Sequence, residues 1–294
     1  MSTAIGIIAM LAACATRQNN FDGDRALRDV IAQMELGARP AGSAANRATG
    51  DYILAQLAAA KRKTKTQEFI FRGVPIRNVI GILGEGKGAR VIIGAHYDTR
   101  LRADQDRDHP DAPVPGANDG ASGVAVLLEL ARTVDESKLK NEVWLAFFDA
   151  EDNGGIDGCL IAKVETCEHT AWNWSVGATY VAENLEANPF AVIVLDMIGD
   201  ADQNIFWEYN SDKELQAQLW AIAARLGYTR EFIPQFKWSM EDDHTPFLRR
   251  GLRAVDVIDF DYPYWHTTQD TADKISAASL ERVGRVMQVW LEGK

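Results

Sequence analysis

Val91-Ile92-Ile93-Gly94-Ala95-His96-Tyr97-Asp98 is an apolar run of strand length that ends in an imidazole and a carboxylate. Residues 91–95 are apolar on both faces, as in a strand covered by helices on each side of a sheet. The run 190–195 has the same two-faced character and ends at Asp196, and 143–148 runs into Glu151-Asp152. Shorter apolar runs at 67–71, 78–83, 205–207 and 254–258 read as further strands. Between and around them lie helical segments at 24–36, 43–60, 120–135, 176–185, 211–226, 243–250 and 278–292. Leu27, Val30, Ile31 and Met34 keep helical spacing, Ser43 is placed to cap the second helix, and residues 37–42 break the two apart. Strands alternating with helices predict a three-layer α/β/α domain with a mostly parallel or mixed central sheet.

In such sheets ligands bind beyond the carboxyl ends of the strands. Three separate strands deliver ionisable residues to that edge, where a merely solvated surface would scatter them. His96 reads as a metal ligand, with Asp98 placed to receive its other ring N–H; an ordinary polar strand end is the plainer alternative. Asp119, in Asn118-Asp119-Gly120-Ala121-Ser122-Gly123, is either the N-cap of the following helix or a metal-binding carboxylate. Glu151 and Asp152 are adjacent acids that repel unless a cation or a shared proton holds them. One of them can bind a metal while the other serves as general base or acid. His266, beside Trp265, is either a packed side chain or a ligand. The aromatic, Pro-containing loop at 259–264, with Tyr262, suits a pocket wall, and His244 after Asp242-Asp243 is placed to line the same pocket. Two histidines with several carboxylates form the ligand set of a hydrolytic zinc site. His109 and His169 sit in polar loops and carry no assignment.

The bulk properties narrow the partners. With 42 acidic against 31 basic residues the net charge is −11, which argues against nucleic acid. The one dense basic run, Lys61-Arg62-Lys63 with Lys65, reads as the solvated end of a helix. At the N-terminus, residues 5–13 are apolar but too short to span a bilayer. They resemble the tail of a signal peptide, and Leu11-Ala12-Ala13-Cys14 resembles a bacterial lipobox, although no Lys or Arg precedes the run. Read this way, 1–14 is a leader with a lipid anchor at Cys14 and 15–23 is a polar tether. The single domain is then 24–294, and the protein is exported to the periplasm or the cell envelope. Cys159 and Cys167 are either a local disulfide or two free thiols. Oligomeric state has no signature in the chain.

The order His96-x-Asp98, Asp119, Glu151-Asp152, Asp196 and His266 resembles the zinc-dependent aminopeptidases of peptidase family 28 and their relatives, the animal-type glutaminyl cyclases. The likeness runs from Gly37 to Lys274 and implies a zinc-aminopeptidase-like fold acting on peptide or protein N-termini. In the cyclase branch it implies one zinc on Asp119, Asp152 and His266. Glu151 then moves the proton, Asp196 and Asp242 hold the proton network, and Trp265 flanks an N-terminal glutamine that closes to pyroglutamate. In the aminopeptidase branch a second zinc on His96, Asp119 and Asp196 is implied. Asp242-Asp243-His244-Thr245-Pro246-Phe247 with Trp265-His266-Thr267 looks like the cyclase branch, whereas Asp119-Gly120-Ala121-Ser122-Gly123 is nearer the peptidase pattern. Asp152 stands where both branches carry Glu. A third reading, a non-catalytic peptide-binding domain, is disfavoured because every ligand position keeps a coordinating side chain.

Overall fold

The computed structural model describes residues 21–164 and 169–293. The expected leader, the expected anchor at Cys14 and the expected tether residues 15–20 lie outside these residues, as does Cys167; Cys159 itself is disulfide-bonded. The folded domain starts earlier than residue 24. Phe21 is buried in the core, and Asp22 caps the first helix through the Arg25 N–H at 2.9 Å.

The elements in chain order are α1 (Gly23–Glu35), α2 (Ala44–Ala59), β1 (Lys63–Phe71), β2 (Val74–Leu83), β3 (Arg90–His96), α3 (Ala121–Thr133), β4 (Glu142–Phe148), α4 (Gly158–Ala162), α5 (Val176–Glu183), β5 (Ala191–Asp196), β6 (Ile205–Glu208), α6 (Lys213–Arg225), β7 (Phe232–Trp238), α7 (Thr245–Arg249), β8 (Ala254–Ile258) and α8 (Ala277–Glu292). The main sheet has the order β1-β2-β4-β3-β5-β8 and is mixed: β2 pairs antiparallel with both β1 and β4, and the remaining run β4, β3, β5 and β8, out to the β8 edge, is parallel. Alternate side chains of each strand enter opposite layers, as strand pleating requires. Val91, Ile93 and Ala95 pack with α1, α2, α3 and α8, whereas Ile92 packs with α5 and α7 residues such as Val181 and Phe247. Both faces of the sheet are therefore covered, which is why residues 91–95 and 191–195 carry no polar side chain.

Two elements depart from the sequence expectation. The basic run at 61–65 is a helix end only in its first half: the N–H groups of Lys61 and Arg62 close α2 on Ala58 O and Leu57 O, whereas Lys63 and Lys65 belong to the exposed edge strand β1. Lysines on an edge strand block edge-to-edge pairing with another chain. Strand β7 pairs in parallel with β6 in a separate two-stranded sheet. Its half-exposed pattern and internal Pro234 hid it from the periodicity, and Pro is tolerated there because the strand is an edge.

Parallel register aligns the strand ends. His96 faces Phe148 across β3–β4, and Asp196 faces Ile258 across β5–β8. Helix α3 is drawn tight against these ends because Gly123 lacks a side chain. A Cβ there would stand 2.3 Å from Leu195 O and 2.7 Å from Ala95 Cβ. We therefore expect Gly123→Ala to push α3 off the sheet and destabilise the protein by about 1–3 kcal/mol, the usual cost of overpacking. Urea unfolding of the two proteins measures this, and equal midpoints would contradict the tight approach.

Candidate active site

The carboxyl ends of β3, β4 and β5 and the loop before α3 place His96, Glu151-Asp152, Asp196 and Asp119 around one point. His96 Nε2 stands 3.1 Å from Asp119 Oδ1 and 3.2 Å from Asp196 Oδ1. His266 Nε2, delivered by the loop after β8, stands 2.9 Å from Asp152 Oδ1 and 3.7 Å from Asp119 Oδ2. Two ligand groups result, His96–Asp119–Asp196 and Asp119–Asp152–His266, and Asp119 belongs to both, one oxygen to each. All five residues are buried or nearly so. Asp119 Oδ2 and Asp152 Oδ2 are buried without a hydrogen-bond partner, so the donor set fits a divalent cation taking imidazole nitrogen and carboxylate oxygen.

Asp119 does not cap α3; that place is taken by Gly120 at φ +96. A side chain at 120 would also strike Asp98 O, 2.5 Å from a Cβ. The loop is instead held by Asp270, which accepts the N–H of Asn118 at 2.8 Å, the N–H of Asp119 at 3.1 Å and the Tyr262 hydroxyl at 2.7 Å. Positive φ values put local backbone strain at the ligand His266 itself, at Met197 next to the ligand Asp196, and at Ala150 next to Glu151.

Asp98 faces His96 Nδ1 as the sequence suggests, as an ion pair at 3.6 Å rather than a hydrogen bond. Its oxygens accept the N–H groups of Glu151 at 2.9 Å and Asp152 at 3.2 Å, so it shapes the acidic turn after β4. The carboxylate behind the other ligand histidine is Asp104, 3.1 Å from His266 Nδ1 and bonded to Arg100. Asp104 lies in an irregular loop without periodicity and carried no sequence signal.

A cavity of about 240 Å³ opens over this group, floored by Asp119, Glu151, Asp152, Asp196, Asp242 and His266. Its walls are Trp174, Met197, Met240, Ile258, Phe260 and Trp265. Trp265 stacks on His266 at 3.8 Å between centroids, and Trp174 lies parallel to the same ring at 6.3 Å. Trp265 thus lines the pocket as expected. Tyr262 and His244 do not. The Tyr262 hydroxyl is spent on Asp270 behind the wall. His244 is fully buried beside Glu208, at 3.4 Å, and Asp256, at 3.9 Å. Trp174, in a polar insertion, was missed; Trp172-Asn173-Trp174 is the only hint the chain gives.

Electrostatics follow from burying these acids together. Burial, with Asp152, Asp242 and Asp243 nearby, pushes Glu151 well above the carboxylate range. Burial and Asp242 raise Asp196 to about 7, and burial and Asp119 raise Asp152 to about 6. Burial opposes ionisation of Asp119 too, but His96 and His266 outweigh it and hold its pKa below the ordinary value. Burial alone would lower His96, yet Asp119, Asp196 and Asp98 lift it well above its usual pKa. Asp243 and Asp256, buried beside Asp242, are likewise raised well above the usual range.

The family model for peptidase family M28 matches residues 78–291. The chain is 24% identical over 245 residues to a glutaminyl-peptide cyclotransferase-like protein of Bos taurus, covering 73% of this chain. The match spans only 59% of that relative's length. A glutaminyl cyclase of Bacteroides thetaiotaomicron, solved with N-acetylhistamine, superposes with a TM-score of 0.84 at 29% identity, over 94% of this chain and 99% of that one. A leucine aminopeptidase precursor from the same organism superposes with a TM-score of 0.85 at 29% identity, over 94% and 98%.

The buried charges fix the pH dependence of the chelated protein. Burial holds Asp149, Asp259 and Asp270 at about 7 when folded, against about 4 in an unfolded chain. The unfolded state sheds these protons first, so stability falls as pH rises from about 4 to 7. His266, held at about 9 against burial by Asp152 and Asp104, adds stability that is complete below about 6.5 and lost as pH rises through 9. Glu208, lowered to about 2, acts only at more acid pH. Calorimetry in EDTA should show the melting temperature falling from about pH 5 to pH 8; a flat or rising profile contradicts this placement of protons.

Proposed function

The chain belongs to peptidase family M28, and from that premise we propose that it is a zinc-dependent glutaminyl-peptide cyclotransferase, converting N-terminal glutamine of peptides to pyroglutamate with release of ammonia. One observation carries this reading. Glu151 is buried under an apolar, aromatic-walled cavity, beside the ligand groups but in neither of them. A carboxyl in that place is free to carry a proton between atoms of a substrate held above it.

Asp119, Asp152 and His266 would hold one zinc. When bound, the ion supplies Lewis-acid polarisation of the substrate's γ-carboxamide. The α-amine nitrogen attacks the side-chain amide carbon, forming the lactam C–N bond. Glu151 takes the proton that the amine sheds and returns it to the departing nitrogen, whose C–N bond breaks to release ammonia. Asp242 neighbours both Glu151 and Asp196, and with them lines the cavity, so that the shared proton would stay within the acidic group. Trp265, Trp174 and Phe260 shield the amide from water, so that the internal amine rather than water attacks.

A second reading rests on its own observation. Asp119 offers one oxygen to each ligand group, the arrangement of a two-metal site. With a second zinc on His96, Asp119 and Asp196, the same Glu151 would activate water and the protein would be an aminopeptidase. In that case the substrates are still peptide N-termini.

Incubation with a Gln-initiated and a Leu-initiated peptide, followed by mass spectrometry, separates the two readings. We expect loss of ammonia from the first; release of free leucine from the second would instead establish the peptidase. Glu151→Gln should keep fold and zinc but slow turnover by at least ~10²-fold, the scale of a positioned proton transfer. Near-normal turnover would remove Glu151 from the reaction. His266→Ala should lose zinc on dialysis, and an unchanged metal content would contradict the ligand assignment.

A further inference from the structure

Arg39 is fully buried, yet none of its hydrogen bonds goes to a carboxylate. Nε donates to Tyr97 O at 3.1 Å, Nη1 to Gly37 O at 3.3 Å and Pro115 O at 3.0 Å, and Nη2 to Gly116 O at 2.6 Å. Its main chain is tied to the same region, its N–H donating to Thr99 Oγ1 at 2.9 Å and its carbonyl accepting the Thr99 N–H at 3.3 Å. Among the described residues it forms no ion pair. Burying a guanidinium is costly; Asp270, Asp98, Asp119 and Asp152 lie near enough to offset part of that cost, but its hydrogen bonds, and so its orientation, are set by the carbonyls.

The carbonyls belong to two loops. Tyr97 lies between His96 and Asp98, and residues 115 and 116 lead directly into Asn118-Asp119-Gly120. A Cβ on Gly116 would stand 2.9 Å from Nη2, and one on Gly120 would stand 3.6 Å away, so the guanidinium fills the space beneath the Asp119 loop. Asp98, held through this junction, in turn accepts the Glu151 and Asp152 N–H groups. One rigid planar group therefore links the backbone segments that carry His96 and Asp119, and Asp98, next to Tyr97, extends that link to the turn of Glu151 and Asp152. Lysine has no such fork and would satisfy one or two of the four acceptors.

We propose that Arg39 is a positioning residue of the metal centre, a brace that sets the separation between the Asp119 loop and the His96–Asp98 strand end and so preforms the zinc ligands. The inference rests on the zinc reading above but not on the choice between cyclase and peptidase. Loss of such outer support commonly weakens metal binding by about 10–100-fold.

The test compares wild type, Arg39→Lys, Arg39→Met and Arg132→Met. Arg132 is a half-buried cation of α3 that ties this helix to α1 through Asp29 and pairs with Glu129 one turn earlier, and its ion pairs do not involve the ligand loops. Zinc affinity is measured by competition with a chromophoric chelator, fold by circular dichroism, and the zinc-induced rise in melting temperature by scanning calorimetry. Both Arg39 variants should stay folded, bind zinc at least ~10-fold more weakly and show a smaller zinc-induced rise. Arg132→Met should melt lower without zinc yet keep wild-type zinc affinity. Wild-type affinity in either Arg39 variant overturns the brace, as does an equal loss of affinity in Arg132→Met. A chain that cannot fold as Arg39→Lys makes the guanidinium a determinant of the fold and overturns its assignment to the site. Failure of wild type to bind zinc would refute the zinc reading itself.

Discussion

Too much negative charge is buried in one place for this site to stand unaided. Asp119, Glu151, Asp152, Asp196 and Asp242 surround one cavity and face two imidazoles, with the guanidiniums of Arg39 and Arg100 near enough to balance only part of the charge. Two unit charges about 4 Å apart in an effective dielectric of about 20 interact by roughly 4 kcal/mol, so neighbouring carboxylates must gain protons or a cation. The raised pKa values of Glu151, Asp152 and Asp196 record the first solution. The two groups sharing Asp119 are built for the second. Metal and proton thus compete for the same oxygens, and zinc binding releases protons.

The fold is arranged around that constraint. Parallel register brings the ends of β3, β4 and β5 to one edge, and the absence of a side chain at Gly123 lets α3 carry the Asp119 loop onto it. Backbone donors then fix the acids from behind. Asp98 holds the turn of Glu151 and Asp152, Asp270 holds Asn118 and Asp119, and Asp104 orients His266. Each of these is an acid used as a hydrogen-bond acceptor for structure, which adds to the charge that the centre must balance. The aromatic wall of Trp174, Phe260 and Trp265 lowers the dielectric over the same groups and strengthens every interaction among them.

Most of the ligand set was legible before folding because strand ends are legible. An apolar run of five or six residues announces where it stops, and His96, Glu151-Asp152 and Asp196 all sit at such stops. The supporting residues were hidden for the opposite reason. Asp104, Asp270 and Trp174 lie in irregular loops, where no period relates one residue to the next. His244 misled because its neighbours Asp242 and Asp243 suggested an open site, whereas the chain turns its ring into the interior. The partner of His96 was legible because Asp98 is two residues away and faces its Nδ1 at 3.6 Å, whereas the carboxylate that meets His266 is Asp104, 162 positions earlier.

By itself the sequence determined the three-layer architecture, the strand ends that carry ligands and the acidic character of the chemistry, because these depend on local periodicity and residue type. It also carried the family's pattern in its order of acids and histidines. Only the folded chain decided that Asp119 is shared between two ligand groups rather than capping α3, that Arg39 joins their loops without a hydrogen bond to a carboxylate, and that Tyr262 stands behind the pocket wall instead of in it. Those outcomes turn on distances of a few ångströms between segments far apart in the chain, which local pattern does not encode.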